Sequence, residues 1–309
     1  MALLLIGCGG FSLIVQTSPT APIVQTRTLS PLPSPTETAT VGITPSPTDT
    51  ITVIPSPTVT FTSTPTLELQ WSMQGPGDIR VPILLYHNIG IPSKESQYYI
   101  SPEKFEEQME LLYKWGYRTI SVELLVHAIR EGAELPARPI ILTFDDGSEG
   151  TLTTALPILQ ECGFTGTAYI VYNYIGAGGY LGIDQIRELY ASGWEIGSHS
   201  LNHVNLTERT DRQQKEIVDS RRKLQDSLGL PVLTFAYPFG AYDEDSVHYT
   251  HDAGYIAAMG LGADTLQGER NLFYLYRREI KASYDLQTFG SFLPWQTDVS
   301  NLPMVTIVP

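Results

Sequence analysis

Two carboxylates and two histidines carry the first chemistry legible in this chain. Asp145 and Asp146 stand side by side after the apolar run Ile140-Ile-Leu-Thr-Phe144, and Gly147 follows them. Charge at the end of an apolar strand is costly unless it is used or paired. Adjacent residues point in different directions, so one carboxylate can hold a metal while the other stays free as a base. Gly147 lets the chain turn sharply there. The plainer alternative is an aspartate capping a helix. His199 and His203 then lie four residues apart in Ser198-His-Ser-Leu-Asn-His203. On a helical turn that spacing sets both imidazoles on one face, as a divalent metal requires. No glutamate follows His199, so this is not the zinc-protease pattern, and plain surface histidines are the alternative. One carboxylate with two histidines makes a His-His-Asp set that leaves metal positions open for water and substrate. A third segment, Thr234-Phe-Ala-Tyr-Pro238-Phe239-Gly240, ends a strand in a turn that by itself reads as ordinary.

These residues need a frame. Strands are expected at Val81–Tyr86, Ile140–Phe144, Gly166–Val171, Trp194–Gly197, Val232–Ala236 and Tyr255–Met259. Helices are expected at Pro102–Trp115, Val122–Arg130, Thr151–Glu161, Gly182–Ala191, Thr207–Leu228 and Asp243–Ala253. Ser101 followed by Pro102 starts a helix in the expected way, and Gly116 and Gly193 sit where helices should stop. Strands alternating with helices give an α/β fold with parallel strands and outer helices, and a barrel fits this length better than an open sheet. Chemistry then belongs at the C-terminal ends of the strands.

Composition narrows the field. The chain has 309 residues, 42% hydrophobic, with 33 acidic against 19 basic side chains and a formal charge of −14. That balance argues against nucleic acid as a partner. No apolar run reaches the roughly 18 residues of a membrane span. Cys8 and Cys162 are too few for a disulfide framework, and Cys162 reads as a small buried hydrophobe.

Three domains are expected: 1–16, 17–68 and 69–309. Between Thr17 and Thr66, 32 of 50 residues are Thr, Ser or Pro, and only Arg27, Glu37 and Asp49 are charged. Such a segment buries too little apolar surface to order itself, so a disordered, proline-stiffened stalk is expected. Ahead of it, Leu5-Ile-Gly-Cys8 is similar to a bacterial lipobox, although the apolar run is short and no Lys or Arg precedes it. The expectation is a secreted or cell-surface protein, touching a membrane only through a lipid anchor at Cys8; a misplaced start is the alternative.

Together the three chemical segments resemble the polysaccharide deacetylase family, the NodB-homology domain of carbohydrate esterase family four. Thr143-Phe-Asp-Asp-Gly147 is similar to its first motif, Ser198–His203 to its second and Ala236-Tyr-Pro-Phe239 to its third. The resemblance implies a distorted (β/α)7 barrel and removal of acetyl groups from a polysaccharide. It implies Asp146, His199 and His203 as ligands of a divalent metal, zinc first, with cobalt, nickel or manganese as alternatives. It implies Asp145 as the catalytic base. Phe239, Tyr237 and Pro238 fall in the substrate and oxyanion segment, with the Phe239 N–H as oxyanion donor.

The chain departs from that pattern in three places. Ala236 replaces the third-motif arginine, so arginine orientation of the base is expected to be lost. No Asp-x-x-Asp-Trp motif is found. The closing Leu-x-His motif is absent, its place taken by Leu275-Tyr-Arg-Arg-Glu-Ile280. His87, ending Val81–His87, is the remaining candidate acid, and Tyr86-His87 resembles the branch acting on poly-N-acetylglucosamine. The alternative for His87 is a packed strand-end histidine. His127, His248 and His251 read as surface or packing residues, and Arg212, Lys215, Glu216, Asp219, Arg222, Lys223 and Asp226 as a solvated helix face. The leading expectation is a metal-dependent N-deacetylase of N-acetylglucosamine polymers. The alternatives are an O-acetyl esterase on xylan or a similar glycan, and a glycan-binding module without turnover.

Overall fold

The computed structural model describes residues 70–92 and 95–297. Cys8, the lipobox-like segment and the Thr/Ser/Pro-rich stalk lie outside the described residues. Seven parallel strands form the frame: β1 (Ile83–Tyr86), β2 (Pro139–Phe144), β3 (Thr167–Ile170), β4 (Glu195–Ser198), β5 (Thr234–Ala236), β6 (Ala257–Met259) and β7 (Arg278–Glu279). Their spatial order is β6-β5-β4-β3-β2-β1-β7, and the short strand Arg118–Thr119 pairs beside the start of β2. The sheet curls until its ends meet. Leu275 bridges Met259 of β6, while Arg278 and Glu279 pair with Leu84 and Leu85 of β1. One continuous segment, 275–279, therefore closes the expected distorted barrel.

Alternation along each strand sorts side chains between the two sides of this sheet. Ile140, Leu142 and Phe144 pack with the helices in one core, whereas Ile141 joins a second core with Tyr169, Ala236 and Met259. Thr143 and Asp145 continue the inner row of Ile141, and Arg277 and Glu279 form the inner row of the closing segment. Space inside is scarce: a Cβ on Gly197 would collide with the Tyr169 ring. That close approach requires glycine at this point of β4.

The helices are α1 (Pro102–Lys114), α2 (Val122–Arg130), α3 (Leu156–Glu161), α4 (Ile183–Ala191), α5 (Ser220–Leu228), α6 (Glu244–Asp252) and α7 (Leu286–Ser291). Ser101 and Ser121 cap α1 and α2 through their hydroxyls, which accept from Lys104 N and Leu124 N. Half-buried Glu195, at the start of β4, adds two more bonds to the α2 N-terminus, accepting from Val122 N at 2.7 Å and Glu123 N at 3.0 Å. A carboxylate there satisfies orphan amides and meets the positive end of the helix dipole.

Three helix expectations are corrected. The helix expected from Thr151 opens instead as a wide π turn, Thr151–Ala155, before α3. Pro157 has no N–H to continue a regular ladder through that point. The helix expected over Thr207–Leu228 has its π segment at Lys215–Asp219 and α5 after it. Asn205 Oδ1 accepts from Thr207 N at 3.1 Å and from its hydroxyl at 2.8 Å, so a side-chain turn outcompetes the helix. Glu216 leaves the solvated face altogether and is 2% exposed. His127, His248 and His251 are exposed as expected, and Cys162 is buried.

Candidate active site

Asp145 and Asp146 lie at the end of β2, between the ends of β1 and β3. Asp145 N–H donates to Tyr86 O at 2.9 Å, so the ladder holds to that residue. Asp146 then takes φ 72°, a left-handed conformation that swings its carboxylate away from its neighbour's direction. The two acids thereby acquire different partners. Asp145 is 2% exposed and receives a fork from Arg277, Nη1 to Oδ1 at 2.7 Å and Nη2 to Oδ2 at 2.8 Å. Asp146 faces the histidines, with Oδ1 3.3 Å from His203 Nε2 and 3.6 Å from His199 Nε2.

The histidine loop is not the helical turn that the spacing alone predicts. His199 continues β4, its N–H donating to Ile170 O at 2.8 Å. The chain then bends through Ser200 at φ 70° and His203 at φ 55°. Ser200 Oγ accepts from His203 N at 2.9 Å. Buried Glu216 accepts from the N–H groups of Leu201 at 3.0 Å and Asn202 at 2.9 Å, and from the Asn202 side chain. A tight turn pinned by one carboxylate therefore brings the two rings to 4.8 Å.

The donor set fits a divalent metal. One ligand atom from each of Asp146, His199 and His203 lies within 4.8 Å of the others. Asp146 Oδ1 is buried and has no hydrogen-bond partner. His199 Nδ1 lies 2.8 Å from Ala236 O, so the ring donates there and leaves Nε2 as a lone-pair donor toward the site. Burial holds His199 down to about 3 and lowers His203 as well, keeping both rings neutral. Burial pushes Asp146 up to about 6, against the pull of His87 and with the added push of Asp145. A half-buried carboxylate so unfavourably placed would be stabilised by a cation.

Asp145 is electrostatically the opposite case. Burial alone would raise it, but the charge and the hydrogen bonds of Arg277 overrule that and hold it at about 2. It is an ionised acceptor at any ordinary pH. The expected loss of arginine support is therefore corrected. Ala236 cannot provide it, and Arg277 reaches Asp145 from the closing segment instead. Arg277 is itself fixed by donation to Gly260 O at 3.2 Å and Thr143 Oγ1 at 3.2 Å. The sequence signal was a charged residue in the inner row of Leu275–Ile280, visible only once that segment is known to close the barrel.

His87 lines the same cleft as Asp145, Asp146, His199, His203 and Phe239, in a volume of about 410 Å³. Its ring stands 4.9 Å from Tyr98, and its buried Nδ1 has no partner. Phe239 adopts φ 61°, and its ring packs 4.7 Å from His203. Its N–H donates to no backbone carbonyl among the described residues. Tyr237 and Pro238 do not accompany it into the cleft. Tyr237 is buried, its hydroxyl donating to Phe273 O at 3.0 Å, and Pro238 is buried in the turn that presents Phe239.

The chain is similar to known proteins. Residues 132–258 match the family model for polysaccharide deacetylase. The Staphylococcus aureus poly-beta-1,6-N-acetyl-D-glucosamine N-deacetylase is 24% identical over 60% of this chain and 69% of its own length. The structure of Streptococcus pyogenes deacetylase PplD in complex with acetate matches at TM-score 0.63 and 25% identity, over 70% of this chain and 98% of that one. BC0361, a polysaccharide deacetylase from Bacillus cereus, matches at TM-score 0.62 and 27% identity, over 70% of this chain and 69% of that one. Residues 132–258 carry a polysaccharide deacetylase domain.

The Arg277 fork is the part of this site most open to test. Arg277→Lys keeps a charge near Asp145 but loses the paired geometry. It should lower acetate release by about 10- to 100-fold with metal content per chain unchanged. Arg277→Met, which leaves a buried carboxylate unpaired, should cost about 3–5 kcal/mol of stability in denaturant titration. Wild-type turnover in Arg277→Lys would reject a positioning role.

Proposed function

We propose that this chain removes N-acetyl groups from N-acetylglucosamine-containing polysaccharide, by hydrolysis dependent on a divalent metal, zinc being the best fit. The observation that carries the reading is a buried carboxylate kept ionised by an arginine fork, next to an Asp-His-His set in one cleft. The likeness to the S. aureus enzyme supports the choice of glycan.

Asp146, His199 and His203 would hold the ion, which when bound polarises the acetyl carbonyl and makes water acidic enough to attack near neutral pH. Asp145 accepts the proton of the attacking water, since it is ionised and lines the cleft. The Phe239 N–H donates to the oxygen that becomes negative as the carbonyl turns tetrahedral. His87 delivers a proton to the departing nitrogen. An amine leaves poorly unless protonated, so some group must perform that step. A binding module without turnover gains nothing from an ionised base beside a metal set, which favours the enzyme.

The extracellular setting is likewise inferred from residues rather than from the fold. Cys8 after Leu5-Ile-Gly7, followed by the Thr/Ser/Pro-rich stalk, supports a lipid-anchored protein at the cell surface acting on a polymer outside the cell. Cys8→Ser should move the protein from the membrane fraction to the soluble one. A wild-type protein that is fully soluble with an intact N-terminus would reject the anchor.

The acid separates amide from ester substrates. His87→Ala should lower acetate release from an N-acetylated glycan on the order of 10²–10⁴-fold. An O-acetyl or aryl acetate substrate, whose leaving oxygen needs less help, should suffer far less, and metal content should stay at the wild-type level. Unchanged turnover of both substrates would remove His87 from the mechanism. Wild-type activity confined to O-acetylated xylan would instead establish the esterase reading.

A further inference from the structure

The lip of the cleft beside His87 holds groups that the hydrolytic step does not use. Tyr98, Asn88, Ser96 and Glu279 all line the cleft. Tyr98 is 41% exposed, and its ring leans over His87 at 4.9 Å with a tilt of 56°. Its free surface is thus available next to the reacting centre rather than buried against it.

This lip is pre-built. Asn88 N–H donates to Tyr98 O at 3.1 Å, and Gly90 N–H to Ile100 O at 2.9 Å, zipping the Tyr98 loop to the chain that follows His87. From the other side, Ala282 N–H donates to Gln97 O at 3.0 Å. Glu279 projects from the inner row of the closing segment, two residues beyond Arg277. Lys281 holds its Oε2 at 3.3 Å, which leaves the second carboxylate oxygen as an acceptor. An aromatic face, a carboxylate, an amide and a hydroxyl fixed by backbone bonds require little ordering on binding.

We propose that Tyr98 and Glu279 form a sugar subsite for the hexopyranose unit adjacent to the one being deacetylated. A pyranose ring has an apolar C–H face and an edge of hydroxyl donors. The exposed Tyr98 ring receives the face, and Glu279, with Asn88 and Ser96, receives the edge. The site therefore reads chain length: a single sugar occupies only the reacting position, whereas an oligomer also covers Tyr98. This inference rests on the glycan reading above.

The test compares N-acetylglucosamine, its tetramer and a small aryl acetate on the metal-loaded full chain. The wild type should use the tetramer better than the monomer. Tyr98→Ala and Glu279→Ala should each raise KM for the tetramer by about three- to tenfold, the size expected for loss of one aromatic or polar contact. Saturated turnover, the monomer and the aryl acetate should be unaffected. Tyr98→Phe should restore the tetramer KM, because the ring face and not the hydroxyl is used.

Equal use of monomer and tetramer by the wild type would overturn the subsite. So would a lower kcat at unchanged KM in Tyr98→Ala, which would make the ring merely a prop for His87. If the wild type releases no acetate from any N-acetylated sugar, the functional reading fails, and the subsite is judged by calorimetry alone. Weaker tetramer binding in Tyr98→Ala would then still support it, and equal binding would overturn it.

Discussion

Two adjacent carboxylates at the end of a fully buried strand cannot both keep their charge without separate compensation. The architecture of this site follows from that constraint. Asp145 is compensated by Arg277, whose fork binds both of its oxygens inside the barrel. Such a pair is maintained only if the geometry is good and the remaining donors are used, and Arg277 also donates to Gly260 O and Thr143 Oγ1. Asp146 is offered no guanidinium. It faces two neutral imidazoles, an arrangement that a cation among them would favour. Environment alone thus makes the two carboxylates unlike, one fitted to the proposed role of base and the other to that of ligand.

Barrel closure makes this division possible. The segment 275–279 bonds to β6 at one end and to β1 at the other, and Arg277 lies between those two contacts. The same closure sets Glu279 beside the end of β1, where His87 and Tyr98 stand. Local strain is spent in the same region. The four described non-glycine residues with positive φ are Asp146, Ser200, His203 and Phe239. Each such conformation costs about 1–3 kcal/mol and persists only where the surroundings over-determine it. Here the Glu216 carboxylate and the Ser200 hydroxyl hold the histidine turn. The strain aims the metal-facing and cleft-facing groups at a common volume.

Much of this was legible in the residues. Apolar runs ending in Asp145-Asp146 and in Ser198-His199 marked two strand ends on one rim, and both lie there. The alternation of strands and helices gave the barrel, and His87 falls in the cleft where its strand position put it. What could not be read depends on long-range contacts. Arg277 is 132 residues from Asp145 in sequence, and no local pattern ties them. Ala236 looked like the loss of an interaction because only its own position could be compared. Glu216 looked solvated because its helical neighbours are charged, while its partner amides lie on a loop whose shape no periodicity encodes. Tyr237 shared a motif with Phe239 but alternates to the buried side, where Phe273 takes its hydroxyl.

In the proposed reaction Asp145 acts as the base while Asp146, His199 and His203 hold the ion. Asp145→Asn separates these roles with little change of shape. The decisive measurement is bound metal and acetate release, taken together on this variant and on the wild type, with an N-acetylglucosamine oligomer as substrate. Wild-type metal content is expected in the variant, with acetate release reduced to the background of the buffer. Acetate release near the wild-type rate from the metal-loaded variant would contradict it, and so would the loss of metal together with activity, which would make Asp145 a ligand and leave the base unassigned.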